Sequence, residues 1–151
     1  MDFFGYFRKY LWNADKTPYL VPVGRLSRTQ ARNELFIYCV LMAAFFFVTG
    51  LAALLGASIV AGSISVAIYS FVLCAAAIYL STTQHPVAAL VCATAPPVIL
   101  VYLIFYGFSP KLHLLDKLLI GSVILALWVY TFRVVRIAWA FPGLRETPTA
   151  D

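Results

Sequence analysis

The chain reads as an all-α protein, an integral membrane bundle of four transmembrane helices preceded by a short N-terminal interfacial amphipathic helix. Three observations predict this. Of 151 residues, 63% are hydrophobic and 11% charged, with a mean hydropathy of +0.91. A water-soluble domain of this size leaves roughly a third of its unfolded surface exposed, and 11 basic and 6 acidic residues are too few to cover it. From Leu35 through Pro110 there is no Asp, Glu, Lys or Arg, a run several times the roughly 20 residues that one helix needs to cross a bilayer core. The run also lacks the alternation of a membrane β-barrel, and in lipid only helices and closed barrels pair all of their own backbone groups. Composition therefore excludes a soluble enzyme, a nucleic-acid-binding domain and a disordered chain.

Residues 1–34 are expected to form a cytoplasmic arm. Phe3, Phe4, Tyr6, Phe7, Tyr10 and Leu11 share one arc of a helical wheel and Asp2, Gly5, Arg8 and Lys9 the other, the pattern of a helix lying in the headgroup plane over 2–12. No charged segment leads into an apolar core there, so no cleaved signal peptide is read. Pro18 and Pro22 bar a regular helix and make 13–26 an extended connector. Ser27 with Gln30 three residues on is a capping box, which starts the first long helix at Arg28, with 28–34 projecting from the membrane.

Residues 35–140 are the transmembrane domain, with spans at about 35–55, 59–80, 87–108 and 116–140. Gly56, Gly62 and Ser63 mark the first reversal, Ser81 to Pro86 the second, and Ser109-Pro110-Lys111 the third. Phe141-Pro142-Gly143 stops the last span and opens a cytoplasmic tail over 141–151. Ser58/Gly62 and Ala89/Ala93 offer small-residue ridges for helix packing.

Orientation follows from the basic residues, which are retained on the cytoplasmic side. Arg8, Lys9, Lys16, Arg25, Arg28 and Arg32 precede the first span, and Arg133, Arg136 and Arg145 close the chain. The far side has only Lys111 and Lys117. Both termini are expected in the cytoplasm, the membrane being a bacterial inner membrane. The formal charge of +5 then describes a rim drawn to anionic headgroups rather than a nucleic-acid footprint. Tyr38, Tyr79 and Trp139 fit an inner aromatic belt, and Tyr102 and Tyr106 the outer half.

The best place for a site is Pro96-Pro97, which removes two backbone donors from the third span and frees the carbonyls of Cys92 and Ala93. Broken helices of this kind build substrate and ion sites in transporters. Thr94 lies beside the break, and Tyr69 and Ser70 are the polar side chains expected to face it. The alternative is a static kink satisfied by Thr94 or a neighbouring helix. Arg133 and Arg136 are expected to snorkel toward the headgroups and, with Arg28 and Arg32, to contact anionic lipid or an acidic partner. Glu34, the lone acid at a span boundary, stays solvated or pairs with a nearby Arg.

Cys39, Cys74 and Cys92 fall at similar depths. They read as small apolar packing residues, the alternative being a soft-metal site. His85 is a turn residue. His113 and Asp116 form a solvated loop pair, with a pH-sensitive or metal-binding pair as the sharper alternative. The two histidines lie on opposite sides of the membrane and do not form a haem pair.

No nucleophile with its base, and no pair of carboxylates, falls at one membrane depth. Small multidrug transporters need an acid within the first span, and none is present. The function expected is a non-enzymatic accessory, assembly or scaffold component of a membrane complex, without cofactors. Its partners would be the anionic bilayer and another membrane protein or a second copy of itself. The alternative is a small uncoupled or lipid-related transporter with its site at the Pro96-Pro97 kink.

Overall fold

The computed structural model describes residues 21–56, 64–106 and 113–146. Among these the chain is helical throughout, with four helical segments long and apolar enough to cross a membrane. The helices are α1 (Arg28–Leu54), α2 (Ile64–Thr83), α3 (Pro86–Ala93), α4 (Ala95–Tyr106) and α5 (Leu114–Ala140). The described residues are all-helical, with helices whose length and apolarity suit a membrane-embedded protein. The interfacial helix expected over 2–12, the connector as far as residue 20, and Ser58/Gly62 lie outside the described residues.

Local chemistry sets the helix ends. Ser27 Oγ accepts the Gln30 N–H at 3.3 Å, and Gln30 Oε1 accepts the Ser27 N–H at 3.0 Å, so two otherwise unpaired donors of the first turn are satisfied reciprocally. The connector is not extended to its end, because Val23–Arg25 closes a single 3-10 turn after Pro22. Helix α2 runs past Leu80, where a break was expected, to Thr83. The hydroxyls of Ser81 and Thr83 bond back to the carbonyls of Ile78 and Tyr79, each at 2.7 Å, so these polar residues satisfy themselves inside the helix. Gln84, at φ 52°, ends it in the left-handed region. His85 Nδ1 then accepts the Val87 N–H at 3.3 Å and caps α3. At the other side of the bundle, Asp116 accepts the His113 backbone N–H at 3.1 Å. That residue pair serves as a helix cap, and α5 starts at Leu114.

The third span is two helices, broken at Thr94. Pro96 and Pro97 cannot donate to the carbonyls four residues back, and Thr94 N–H turns instead to the Val91 carbonyl at 3.1 Å.

Helices α1 and α2 pair along their length, α3 lies against α2 and α5, and α4 and α5 pack together; α5 also touches α1, closing the ring. In lipid, which is as apolar as the side chains, close packing rather than hydrophobic transfer holds helices together. Gly50 shows this most directly. A Cβ there would meet the Phe71 ring at 3.1 Å and Ser70 Cβ at 3.3 Å, and Gly50, Ala53, Ala67 and Ser70 are all buried along this seam. Of the expected ridge Ala89/Ala93, Ala89 is buried and Ala93 half-buried.

The core is asymmetric. Leu35, Cys39, Met42 and Phe46 of α1 meet Leu73, Ala77 and Leu80 of α2, Ala89 and Cys92 of α3, and Val134, Ile137 and Ala138 of α5. Beyond Pro96, no described side chain of α4 is buried, and none of α5 is buried before Ile124.

Candidate functional site: a buried ionic clasp at one end of the bundle

Residues 31, 34, 35, 38 and 39 recur at helical spacing on α1 and turn one face inward, and all five are buried. Four of them are apolar or aromatic, and the fifth is Glu34, only 1% exposed. On α5 the inward face carries Tyr130 and Arg133. Arg133 Nε donates to Glu34 Oε1 at 2.6 Å and Nη2 donates to Oε2 at 3.0 Å, a bidentate pair. Its Nη1 donates to the Val21 carbonyl at 2.8 Å, and the Tyr130 hydroxyl donates to Glu34 Oε1 at 3.1 Å. The first helix, the last helix and the strand of chain entering the bundle are thereby tied together at one point.

Two expectations change. Glu34 does pair with an arginine, but it is buried rather than solvated, and the partner is Arg133 on the last helix rather than an arginine nearby in sequence. Arg133 does not snorkel to a headgroup. Only 15 uncharged residues separate it from Lys117, about 22 Å of helix against a hydrocarbon core of about 30 Å. One charge must therefore lie below the headgroups, and it is neutralised by a carboxylate at the same depth. Arg136, one turn on, is exposed. Tyr38 also departs from its expected place in the aromatic belt. It is buried, 6.0 Å from the Tyr130 ring, and its hydroxyl lies 3.4 Å from Thr131 Oγ1. Thr131 spends its own proton on the Leu127 carbonyl at 2.7 Å, so Tyr38 is the donor. Tyr79 and Trp139 are exposed.

Outside the clasp, the start of α1 and the segment that follows α5 are joined again. Arg28 Nη1 donates to Glu146 Oε1 at 2.6 Å, Arg28 N–H donates to the Arg145 carbonyl at 3.0 Å, and the guanidinium stands 5.7 Å from the centre of the Phe141 ring. Beside this junction opens a groove of roughly 670 Å³ lined by Arg28, Thr29, Arg32, Asn33, Gln84, Phe141 and Glu146.

At the third-span break, Tyr69 meets Thr94, their hydroxyl oxygens 2.7 Å apart. Thr94 donates its proton to the Val91 carbonyl at 2.7 Å, so Tyr69 donates to Thr94. Pro96 is buried, Pro97 half-buried and Thr94 exposed. Ser70, the other side chain expected here, is instead buried against α1 beside Gly50. The Thr94 hydroxyl serves the Val91 carbonyl rather than the Cys92 and Ala93 carbonyls that the prolines deprive of donors.

No known protein family, curated protein or solved structure matches this chain.

Cys39 and Cys92 are buried in the core and Cys74 is half-buried on α2. Among the described residues no group of three or more His, Cys, Asp or Glu is placed to hold a metal ion. The Glu34–Arg133 pair was the feature that sequence reasoning missed. Its only signal was one acid at the edge of the first span and one arginine too deep in the fourth, two opposite charges at matching depth.

Proposed function

We propose that the chain is a non-enzymatic accessory, assembly or scaffold component of a membrane complex, in a bacterial inner membrane with both ends in the cytoplasm. The internal pairing of the clasp carries this reading. Each guanidinium nitrogen of Arg133 and both oxygens of Glu34 hold a partner within the chain, committing the strongest polar cluster to holding helices rather than to binding or converting a substrate. The orientation is supported by the basic residues of the clasp end, Arg25, Arg28, Arg32, Arg136 and Arg145, against Lys117 at the other. A scaffold of this design is rigid where the clasp closes it. It presents apolar helix faces where α4 and α5 leave the core, among them Ile104 and Phe105 at 77% and 80% exposure.

A photo-crosslinking residue placed at Phe105 or Leu119, compared with one at Val72 on α2, tests this in native membranes. A discrete protein adduct from the α4 and α5 positions, absent from Val72, is expected. Lipid adducts alone at all three positions would defeat the reading.

The transporter reading draws on one observation, the Tyr69 hydroxyl seated at the proline break. Replacing Pro96 and Pro97 with Ala separates the two readings, because a transporter loses substrate flux in vesicles while a scaffold keeps its crosslinks.

A further inference from the structure

Arg28 and Arg133 have opposite environments. Arg133 is well engaged at all three nitrogens, which hold partners at 2.6, 2.8 and 3.0 Å. Arg28 is not. Its Nη1 holds Glu146, a side chain 78% exposed, its Nη2 reaches the Pro142 carbonyl only at 3.4 Å, and its Nε is shut off from solvent with no hydrogen-bond partner. Buried guanidinium donors are ordinarily paired, and a fork used through one good bond is matched to a ligand that takes two at once. Arg32 lies one helical turn away on the same face, is exposed, and enters no salt bridge among the described residues. Both arginines line the groove whose other walls include Gln84, Phe141 and Glu146.

The position of the groove selects its ligand. Arg32 and Arg28 stand two and six residues before Glu34, about 3 and 9 Å along the helix axis, which brackets a headgroup layer of about 6 Å outside the hydrocarbon. Planar guanidinium groups match phosphate oxygens in geometry and charge. We propose that this groove binds a phosphate ester group, the chemistry of a phospholipid headgroup, and that Glu146 occupies Arg28 in its place when the groove is empty. The carboxylate is then an intramolecular competitor. The ligand exchanges one exposed salt bridge for a contact to the Nη1 and Nη2 groups of Arg28, the second of which holds the Pro142 carbonyl only at 3.4 Å, and a second charge from Arg32. The clasp plays no part in this exchange, and the site stands independently of the scaffold reading.

The test uses the full chain in nanodiscs of phosphatidylcholine with phosphatidylglycerol as the minor lipid, reading by native mass spectrometry the phosphatidylglycerol retained after transfer to detergent. Arg32→Gln should lower retention at least about tenfold, the loss of a charge-assisted contact. Glu146→Gln should raise it roughly threefold, since the competitor is one exposed ion pair. Arg136→Gln, an exposed arginine at the same end but outside the groove, should change it less than twofold, roughly the scale of one screened surface charge. Arg28 also anchors the segment that follows α5, so Arg32→Gln is the decisive variant, with an unchanged melting temperature as its control. An Arg136→Gln loss equal to that of Arg32→Gln, or no gain from Glu146→Gln, would reduce the effect to diffuse surface attraction and overturn the proposal. Inorganic phosphate offered to the lipid-free protein separates the sources. Binding that Arg32→Gln abolishes assigns the site to soluble phosphate, phosphatidylglycerol retention without phosphate binding assigns it to lipid, and binding of neither overturns it.

Discussion

Glu34 and Arg133 stand 99 positions apart in sequence and share two hydrogen bonds, of 2.6 and 3.0 Å. The pair joins the start of α1 to the last two turns of α5, so it closes the ring of helices rather than adding to one hairpin. Taking an ion pair out of water is costly unless geometry and further hydrogen bonds compensate. Here Tyr130 and the Val21 carbonyl supply them.

Breaking the pair from one side should therefore cost far more than removing both partners. Arg133→Met leaves a buried carboxylate without its counter-charge and should destabilise the bundle by about 3–5 kcal/mol; Glu34→Leu leaves a guanidinium that is only half-buried and should cost less, because water still reaches it. The double variant, which replaces both with apolar side chains of similar length, should recover most of that loss. Thermal unfolding in one detergent, run as a double-mutant cycle, measures the coupling. Additive losses would show that the two charges do not depend on each other.

Gly50 should tolerate one carbon and no more. Alanine removes the helix penalty of glycine, about 1 kcal/mol, but its Cβ meets the Phe71 ring at 3.1 Å. That ring is half-buried and can yield, so Gly50→Ala should leave the melting temperature nearly unchanged. Gly50→Leu has nowhere to place its branch between α1 and α2 and should cost about 1–3 kcal/mol through overpacking. An equal melting temperature for Gly50→Leu would mean the seam is looser than its contacts indicate.

These two features differ in how far the sequence disclosed them. The number of spans followed from composition, and the start of α1 and the break at Pro96-Pro97 from local backbone chemistry, since a capping box and a missing N–H act within four residues. The partners of polar side chains did not follow. Ser81 and Thr83 carry the composition of a loop, yet each closes a bond inside its own helix. Tyr38 has the residue type of a membrane belt, but the rotation of α1 turns it inward beside Thr131. Glu34 and Arg133 each look like rim residues when read alone, because charge pairing between the first and last helices depends on an arrangement of the bundle that no local pattern encodes.

Tyr69 and Thr94 should show measurable coupling although neither is buried. Tyr69→Phe removes the donor and leaves Thr94 bonded to Val91, whereas Thr94→Val removes both that bond and the acceptor of Tyr69. A single neutral hydrogen bond contributes about 1 kcal/mol, so Tyr69→Phe should cost about that much and Thr94→Val more. The second loss should shrink when Tyr69 is already Phe. Strict additivity in a melting-temperature cycle would show that the two hydroxyls do not meet in the membrane.

The three thiols should react in a fixed order. Cys74 is half-buried on α2, while Cys39 and Cys92 are at 2% and 0% exposure between helices that the Glu34–Arg133 clasp holds closed. A maleimide small enough to enter a detergent micelle should label Cys74 in the folded protein and reach Cys39 and Cys92 only when the bundle opens. The clasp controls that opening, because both cysteines lie within the packed half that it closes. In the Arg133→Met variant the destabilisation of about 3–5 kcal/mol raises the open population, and with opening fast against labelling the slow phase for Cys39 and Cys92 should accelerate at least about a hundredfold. Cys74 should keep its rate. Acceleration of all three together would indicate a general loosening of the micelle, and acceleration of none would place the clasp outside the pathway by which the core opens.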